Sequence, residues 1–262
     1  MTAILELQDV RYQIGNAQIL RGIDMDVRAG ELLALAGPNG AGKSTLLGVM
    51  AGDLKPTGGQ ALLNGRPVTA VPVRELARRR AVMLQESRLS FGFSVADVVR
   101  MGRAALPAGA IEDDAAVAQA LEACDALDLA DRKFPTLSGG EKARVSFART
   151  LVQEADVLLL DEPTAALDIR HQELVMGLAR RQADGGKAVV AVLHDLSLAA
   201  AWADRLALMG EGRLVDCGPV AEVATGPQLS ALYHHPVGVE PDPVTGVPVV
   251  IPRRGVARCP VC

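Results

Sequence analysis

Leu32-Leu33-Ala34-Leu35-Ala36-Gly37-Pro38-Asn39-Gly40-Ala41-Gly42-Lys43-Ser44-Thr45 is the stretch that decides how the chain is read. Its first five residues form a continuous apolar run, the pattern of a strand buried on both faces of a parallel sheet. The nine that follow carry G-x-x-x-x-G-K-[ST] between that strand and a helix. The glycines let backbone N–H groups converge on phosphate oxygens with no Cβ in the way. The helix that opens near Ser44 adds its positive N-terminal end. Lys43 is placed to neutralise β- and γ-phosphates, and Ser44 to ligate Mg²⁺. Residues Gly37 to Thr45 are therefore expected to bind a nucleotide.

Outward from this loop the same logic repeats. Val157-Leu158-Leu159-Leu160-Asp161-Glu162 is an apolar strand that delivers two acids at its C-terminal end, the edge where open α/β sheets bind ligands. Asp161 suits a Mg²⁺ shell, and Glu162 suits a general base for water. His194 ends another buried run, 188–193, and Gln85 ends a short one at 82–84. Parallel strands put these ends on one edge, within reach of the phosphates. A further buried strand is expected at 205–209. Helical periodicity falls between the strands, at 44–51, 115–127, 142–153 and 171–182, so the class is α/β with a parallel sheet. The first 30 residues alternate instead, with Gly15-Asn16 as a hairpin turn between half-buried strands. From about Gln85 to Ser138 the alternation lapses into an Ala-rich helical insertion. From His234 onward Pro, Gly and Val dominate, and Val244-Thr245-Gly246-Val247 suits a turn.

Composition bounds the function classes. The 262 residues are 49% hydrophobic and 22% charged, with net charge −4, which supports a packed core rather than disorder. An acidic chain is a poor bulk ligand for nucleic acid, so no nucleic-acid partner is expected. No apolar run reaches the roughly 18–20 residues of a membrane span. The N-terminus lacks a basic leader, so a cytosolic location is expected, including the cytosolic face of a membrane. Four cysteines do not suggest a disulfide framework. Cys124 falls in an apolar helical pattern and reads as core. Cys259-Pro260-Val261-Cys262 supplies two thiolates, too few for a closed zinc site in one chain. It reads as an ordinary tail, with zinc shared across a dimer or haem ligation as the alternatives.

Leu137-Ser138-Gly139-Gly140-Glu141 precedes the helix at 142–153. It offers a second helix N-terminus with a hydroxyl and free backbone donors, and Ser138 and Glu141 equally fit an N-terminal capping box. Together these elements resemble the ATP-binding subunits of ABC transporters over nearly the whole chain. Gly37–Thr45 matches the Walker A loop, Gln85 the Q-loop, Leu137–Glu141 the signature and 157–162 the Walker B strand. Asp168, in Ala166-Leu167-Asp168, matches the D-loop, His194 the switch histidine, and Tyr12 the aromatic that stacks on adenine.

The resemblance implies a P-loop NTPase (RecA-like) sheet with an N-terminal antiparallel β subdomain and a helical insertion at about 86–150. The cassette would cover residues 2–240 and a Pro/Val-rich tail 241–262. It implies ATP and Mg²⁺ as cofactors, with Mg²⁺ held by Ser44, Gln85 and Asp161. It implies a homodimer in which Ser138, Gly139, Gly140 and Glu141 complete the partner's ATP site, and a separate permease dimer in the membrane. Two positions depart from the common pattern: Glu141 stands where Gln is usual, and Ala165 where Ser is usual. The chain looks most like the importer group for iron–siderophores, cobalamin and hemin, and within it like the hemin subunits. The carrying stretches are Leu76 to Gln85, Phe93 to Val95, Met101 to Ala104, Leu193 to Ala200 and Leu232-Tyr233. That likeness implies a hemin-binding protein outside the membrane, acting through the permease, and a peripheral location on the cytoplasmic face of the inner membrane. Phe91 and Phe93, flanking Gly92, suit either a permease socket or packing within the insertion.

Overall fold

The computed structural model describes residues 3–84, 92–107 and 109–254. Two long strands, β1 (Ala3–Ile14) and β2 (Ala17–Arg28), turn at Gly15, whose φ of 56° suits a residue without Cβ. The expected buried strand is β3 (Leu32–Ala36), followed by α1 (Lys43–Ala51). Then come β4 (Gly58–Leu63), β5 (Arg66–Pro67), α2 (Val73–Arg79) and β6 (Arg80–Met83). Three helices follow: α3 (Val95–Arg100), α4 (Ala110–Ala123) and α5 (Gly139–Leu151). The alternation resumes with β7 (Val157–Asp161), α6 (Ile169–Asp184), β8 (Ala188–Val192), α7 (Leu196–Trp202) and β9 (Arg205–Gly210). The remainder is β10 (Arg213–Pro219), α8 (Val220–Val223), α9 (Gly226–Tyr233) and a hairpin of β11 (Val237–Pro241) and β12 (Pro248–Pro252). This last hairpin crosses residue 241, and Val250 N–H donates to Ser197 Oγ of α7.

The strands make two main sheets. β2-β1-β4-β5 is antiparallel; β10-β9-β3-β8-β7-β6 is parallel apart from its edge strand β10. Register explains where the chemistry collects. Leu35 pairs with Val192, Val192 with Asp161, and Leu160 with Met83. The chain therefore leaves β3, β8, β7 and β6 on one edge of the sheet, and the phosphate loop, His194 and Glu162 follow directly.

The parallel sheet is buried on both faces because its strands are apolar at every position. Leu32, Ala34 and Ala36 face one core with α3, α4, α5 and α6; Leu33 and Leu35 face the other with α1 and the antiparallel sheet. Leu158 and Leu160 alternate with Val157 and Leu159 in the same way. Two of the four phenylalanines, Phe134 and Phe147, are fully buried in the first core. Truncating such a residue to Ala costs about 3–5 kcal/mol.

Helix ends differ from the periodicity because capping decides them. α4 stops short of residue 127, since Asp125 adopts a left-handed φ of 54°. α5 begins at Gly139, three residues before the apolar pattern, because Ser138 caps it. α6 begins at Ile169, where Asp168 accepts the His171 N–H at 2.9 Å. The short α2, α3 and α7 are too brief for a periodicity to stand out, and the edge strand β10 lacks the continuous apolar run of the strands buried on both faces. The arginine run at 78–80 is engaged within the protein: Arg78 donates to Ala105 O, Arg80 to Ala51 O and Asp53, and Arg79 pairs with Asp156.

Candidate functional site

The phosphate loop is shaped by what its glycines avoid. Gly37 has φ 149°, and a Cβ there would strike the Met209 carbonyl oxygen. Gly42 caps α1 in a left-handed conformation with φ 96°. A Cβ on it would sit 3.0 Å from Leu20 Cδ2 and 3.1 Å from Ile19 O. Leu20 is also the register partner of Tyr12, so the loop abuts the strand pair that carries Tyr12, half-buried on β1. From behind, the Gly37 N–H donates to the Tyr233 hydroxyl, and burial pushes the Tyr233 pKa up. Pro38, Asn39, Gly40, Ala41 and Thr45 complete the turn and the start of α1.

Lys43 is buried although it is the first residue of α1. Its Nζ donates to Gly37 O at 2.7 Å and Pro38 O at 3.0 Å, folding the side chain across the loop it follows. Burial lowers its pKa, opposed by the charges of Glu162 and Asp161. The cation thus lies in a pocket that favours a compensating anion.

Ser44 Oγ donates to Asp161 Oδ1 at 3.2 Å, joining the start of α1 to the end of β7. Asp161 is buried; burial raises its pKa, and Ser44 donation partly offsets this. A buried carboxylate beside an exposed hydroxyl is a fitting donor pair for Mg²⁺, which takes oxygen ligands and keeps several waters. Among the described residues no group of three or more His, Cys, Asp and Glu side chains forms a protein-only cage.

Glu162 leaves β7 with a left-handed φ of 50°. For a residue with a side chain this is strained backbone, of about 1–3 kcal/mol, and such strain collects at functional sites. Its Oε1 lies 2.6 Å from His194 Nε2. The Glu162 side chain is largely enclosed and that of His194 is open to solvent. The two residues come from adjacent strands and meet at the edge that carries the phosphate loop.

The Ser138 segment makes the capping box. Ser138 Oγ accepts the Glu141 N–H at 3.3 Å, and Glu141 Oε2 accepts the Ser138 N–H at 2.7 Å. These bonds hold the Glu141 carboxyl below its ordinary pKa. Ser138 and Gly139 nevertheless remain exposed at the start of α5. Gly140 packs on the turn before Asp168: a Cβ there would come 3.2 Å from Ala166 O. Asp168 caps α6 nearby.

Gln85, Phe91 and the Cys259–Cys262 pair lie outside the described residues. Phe93 is 39% exposed. A groove of about 330 Å³ opens between α2, β6 and α5, lined in part by Asp53, Leu84, Met101 and Arg149. Arg149 is desolvated there, which lowers its pKa, with no anion beside it among the described residues. Sequence reading did not single out Arg149, because an arginine in a helix ordinarily reads as a solvated face. Tyr233 carries no local signal of its own beyond a resembling stretch, because its contact with Gly37 closes a long sequence separation.

Comparison with known proteins agrees with this geometry. The ABC transporter family model matches residues 20–165. A hemin import ATP-binding protein HmuV of Streptomyces coelicolor is 54% identical over 247 residues, covering 94% of this chain and 88% of that one. The HmuV of Thermobifida fusca is 50% identical, covering 97% and 90%. Among solved structures, an inward-facing putative metal-chelate type ABC transporter superposes with TM-score 0.83 at 26% identity, covering 97% of this chain and 99% of that one. The dimeric post-hydrolysis state of the ATP-binding cassette MJ0796, bound to ADP and Pi, gives 0.76 at 25% identity, covering 82% and 98%. Matched over more than half its length by the family model and nearly end to end by these relatives, the chain belongs to the ABC transporter family, among its ATP-binding proteins.

Proposed function

We propose that the protein is the ATP-hydrolysing subunit of a hemin importer, driving uptake through a separate permease. The observation that carries the enzymatic reading is the Glu162–His194 contact at 2.6 Å, on the sheet edge shared with Lys43 and Ser44–Asp161. The cargo rests on relatives at 54% and 50% identity that are named for hemin import.

In this reading Gly40 to Thr45 wrap the phosphates with backbone N–H groups, and Lys43 turns from its own loop carbonyls to the β- and γ-oxygens. Tyr12 stacks on the adenine. Mg²⁺, held by Ser44, Asp161 and Gln85, partly through water, supplies charge neutralisation of the phosphates. Glu162 accepts a proton from water as the water oxygen bonds to the γ-phosphorus and the bond to the β-γ bridging oxygen breaks, giving ADP and phosphate. His194, donating from Nε2, holds the Glu162 carboxylate and reaches the γ-phosphate. Ser138 and the Gly139 and Gly140 amides act on the ATP of a second copy, across a head-to-tail homodimer. The signature face is exposed in one chain, which supports this role.

The permease would seat a cytoplasmic segment in the groove between α2, β6 and α5, where Arg149, with no anion beside it among the described residues, favours an acidic residue. No described helix is long and apolar enough to cross a membrane, which fits a peripheral subunit on the cytoplasmic face of the inner membrane. A hemin-binding protein outside that membrane would deliver cargo to the permease. The second reading is a ferric siderophore or cobalamin importer, favoured by the likeness to a metal-chelate type transporter.

The deciding experiment is growth on hemin as sole iron source in cells lacking this gene, complemented with wild type or Lys43→Ala. Rescue by wild type alone supports both cargo and ATP chemistry. Normal hemin use without the gene, in a strain shown to have no second hemin system, moves the cargo to the alternatives.

A further inference from the structure

The D-loop is flanked on three sides by residues of its own chain. Asp168 Oδ1 lies 2.8 Å from His171 Nδ1 and accepts the His171 N–H at 2.9 Å. The other ring nitrogen, Nε2, lies 3.4 Å from Asp125 Oδ2. Asp125 is the left-handed residue that ends α4, in the helical insertion. Arg170 reaches the same Asp125 oxygen at 3.0 Å, and Arg144 of α5 approaches it at 3.8 Å. On the second side, Gln172 Nε2 donates to Thr164 O at 3.3 Å and Leu167 O at 3.1 Å. On the third, Gly140 of the signature packs so close that a Cβ added to it would sit 3.2 Å from Ala166 O.

Both His171 ring nitrogens face carboxylate oxygens, Nδ1 that of Asp168 and Nε2 that of Asp125. The side chain is largely enclosed, 17% exposed, so it is packed into this position and is not swinging in solvent. It spans two bodies: the insertion that carries the signature, through Asp125 and α5, and the parallel-sheet body that carries the D-loop.

We propose that His171, assisted by Gln172, is a positioning residue that locks the D-loop to the signature helix, so that one subunit presents both to its partner as a single face. This rests on the reading above that the signature acts on the ATP of a second copy. The ring nitrogens of His171 face Asp168 and Asp125, and the residue acts through them. Loosening it leaves the phosphate loop of its own chain intact and misplaces what is offered across the dimer. The loss should therefore fall on turnover and not on ATP capture, since misplacement of a remote group by about 1 Å can cost up to about 100-fold in rate.

The test is steady-state ATPase of the full-length chain with its permease. His171→Ala, Asp125→Ala, their double variant, Gln172→Ala and the milder His171→Gln are compared with wild type, with Ser138→Phe as reference. The expected result is kcat lowered about 10-fold or more by His171→Ala, with KM for ATP within about twofold. The double variant should be no worse than the more affected single variant, as expected for two ends of one bridge. His171→Gln, which can donate to Asp168, should recover part of kcat. Wild-type kcat in His171→Ala, a kcat loss matched by a rise in KM, or multiplicative losses in the double variant would each overturn the proposal. Should His171→Ala fold poorly, His171→Gln and Gln172→Ala carry the same kcat-against-KM comparison. An inactive Ser138→Phe with a fully active His171→Ala rejects the positioning role alone. A fully active Ser138→Phe rejects the trans reading, and the positioning role with it.

Discussion

Glu162 Oε1 and His194 Nε2 lie 2.6 Å apart, bridging the ends of two adjacent parallel strands. The contact ties the candidate base to the residue that would sense the γ-phosphate. It also sets a clear expectation for Glu162→Gln. The amide keeps the shape and cannot take a proton from water, so ATP should bind with kcat lowered about 100-fold or more. Sedimentation at millimolar ATP should show a trapped dimer; a persistent monomer would sink the sandwich arrangement for the isolated subunit.

Lys43→Ala removes the cation that folds across Gly37 O and Pro38 O. Nucleotide affinity should fall at least about tenfold, because the phosphates lose their point charge. Equilibrium binding of a fluorescent ATP analogue reads this directly, and tight binding by the variant would contradict the role.

Asp161 links stability to pH. Burial raises its folded pKa above the unfolded value, so its contribution to stability is full below the unfolded pKa and is lost as pH rises through the folded pKa. At neutral pH, without Mg²⁺, the ionised carboxylate destabilises the fold. Asp161→Asn should then melt above wild type at pH 7 in chelator and lose that advantage toward pH 3. Mg²⁺ with ATP should raise the wild-type melting temperature and leave the variant less affected. Equal melting of the two proteins across that range would reject the burial argument.

Gly37→Ala tests the strand-to-loop corner. The new Cβ would meet the Met209 carbonyl oxygen at a φ of 149°. Strain alone predicts a loss of about 1–3 kcal/mol in urea unfolding, with the clash in addition. A variant of unchanged stability would mean that β9 yields easily.

Arg149→Glu places a carboxylate where a desolvated guanidinium lines the groove between α2, β6 and α5. Co-purification with the permease should drop at least about tenfold, through repulsion of an acidic partner residue. Unchanged co-purification would put the docking surface elsewhere.

Much of this was legible in the residues themselves. The Gly37–Thr45 loop between a strand and a helix, the two acids at the end of the 157–161 strand, and the Ser138–Glu141 capping box are local patterns readable from spacing, and the structure has each in that local setting. The buried strands were readable because a strand covered on both faces is apolar at every position, as 32–36 and 188–192 are. Helix ends were less readable, since Asp125, Ser138 and Asp168 set them through single backbone angles and caps that periodicity does not register.

The sequence by itself determined a nucleotide loop on a parallel α/β sheet and which acids stand at the strand ends. Only the tertiary structure decided which of those ends touch. It put Glu162 against His194, the Tyr233 hydroxyl behind Gly37, and His171 between Asp168 and Asp125. The reason is physical. Motif chemistry is carried by neighbours along the chain, whereas these contacts are fixed by strand register and helix packing, which close long separations once the two cores on either side of the sheet have formed.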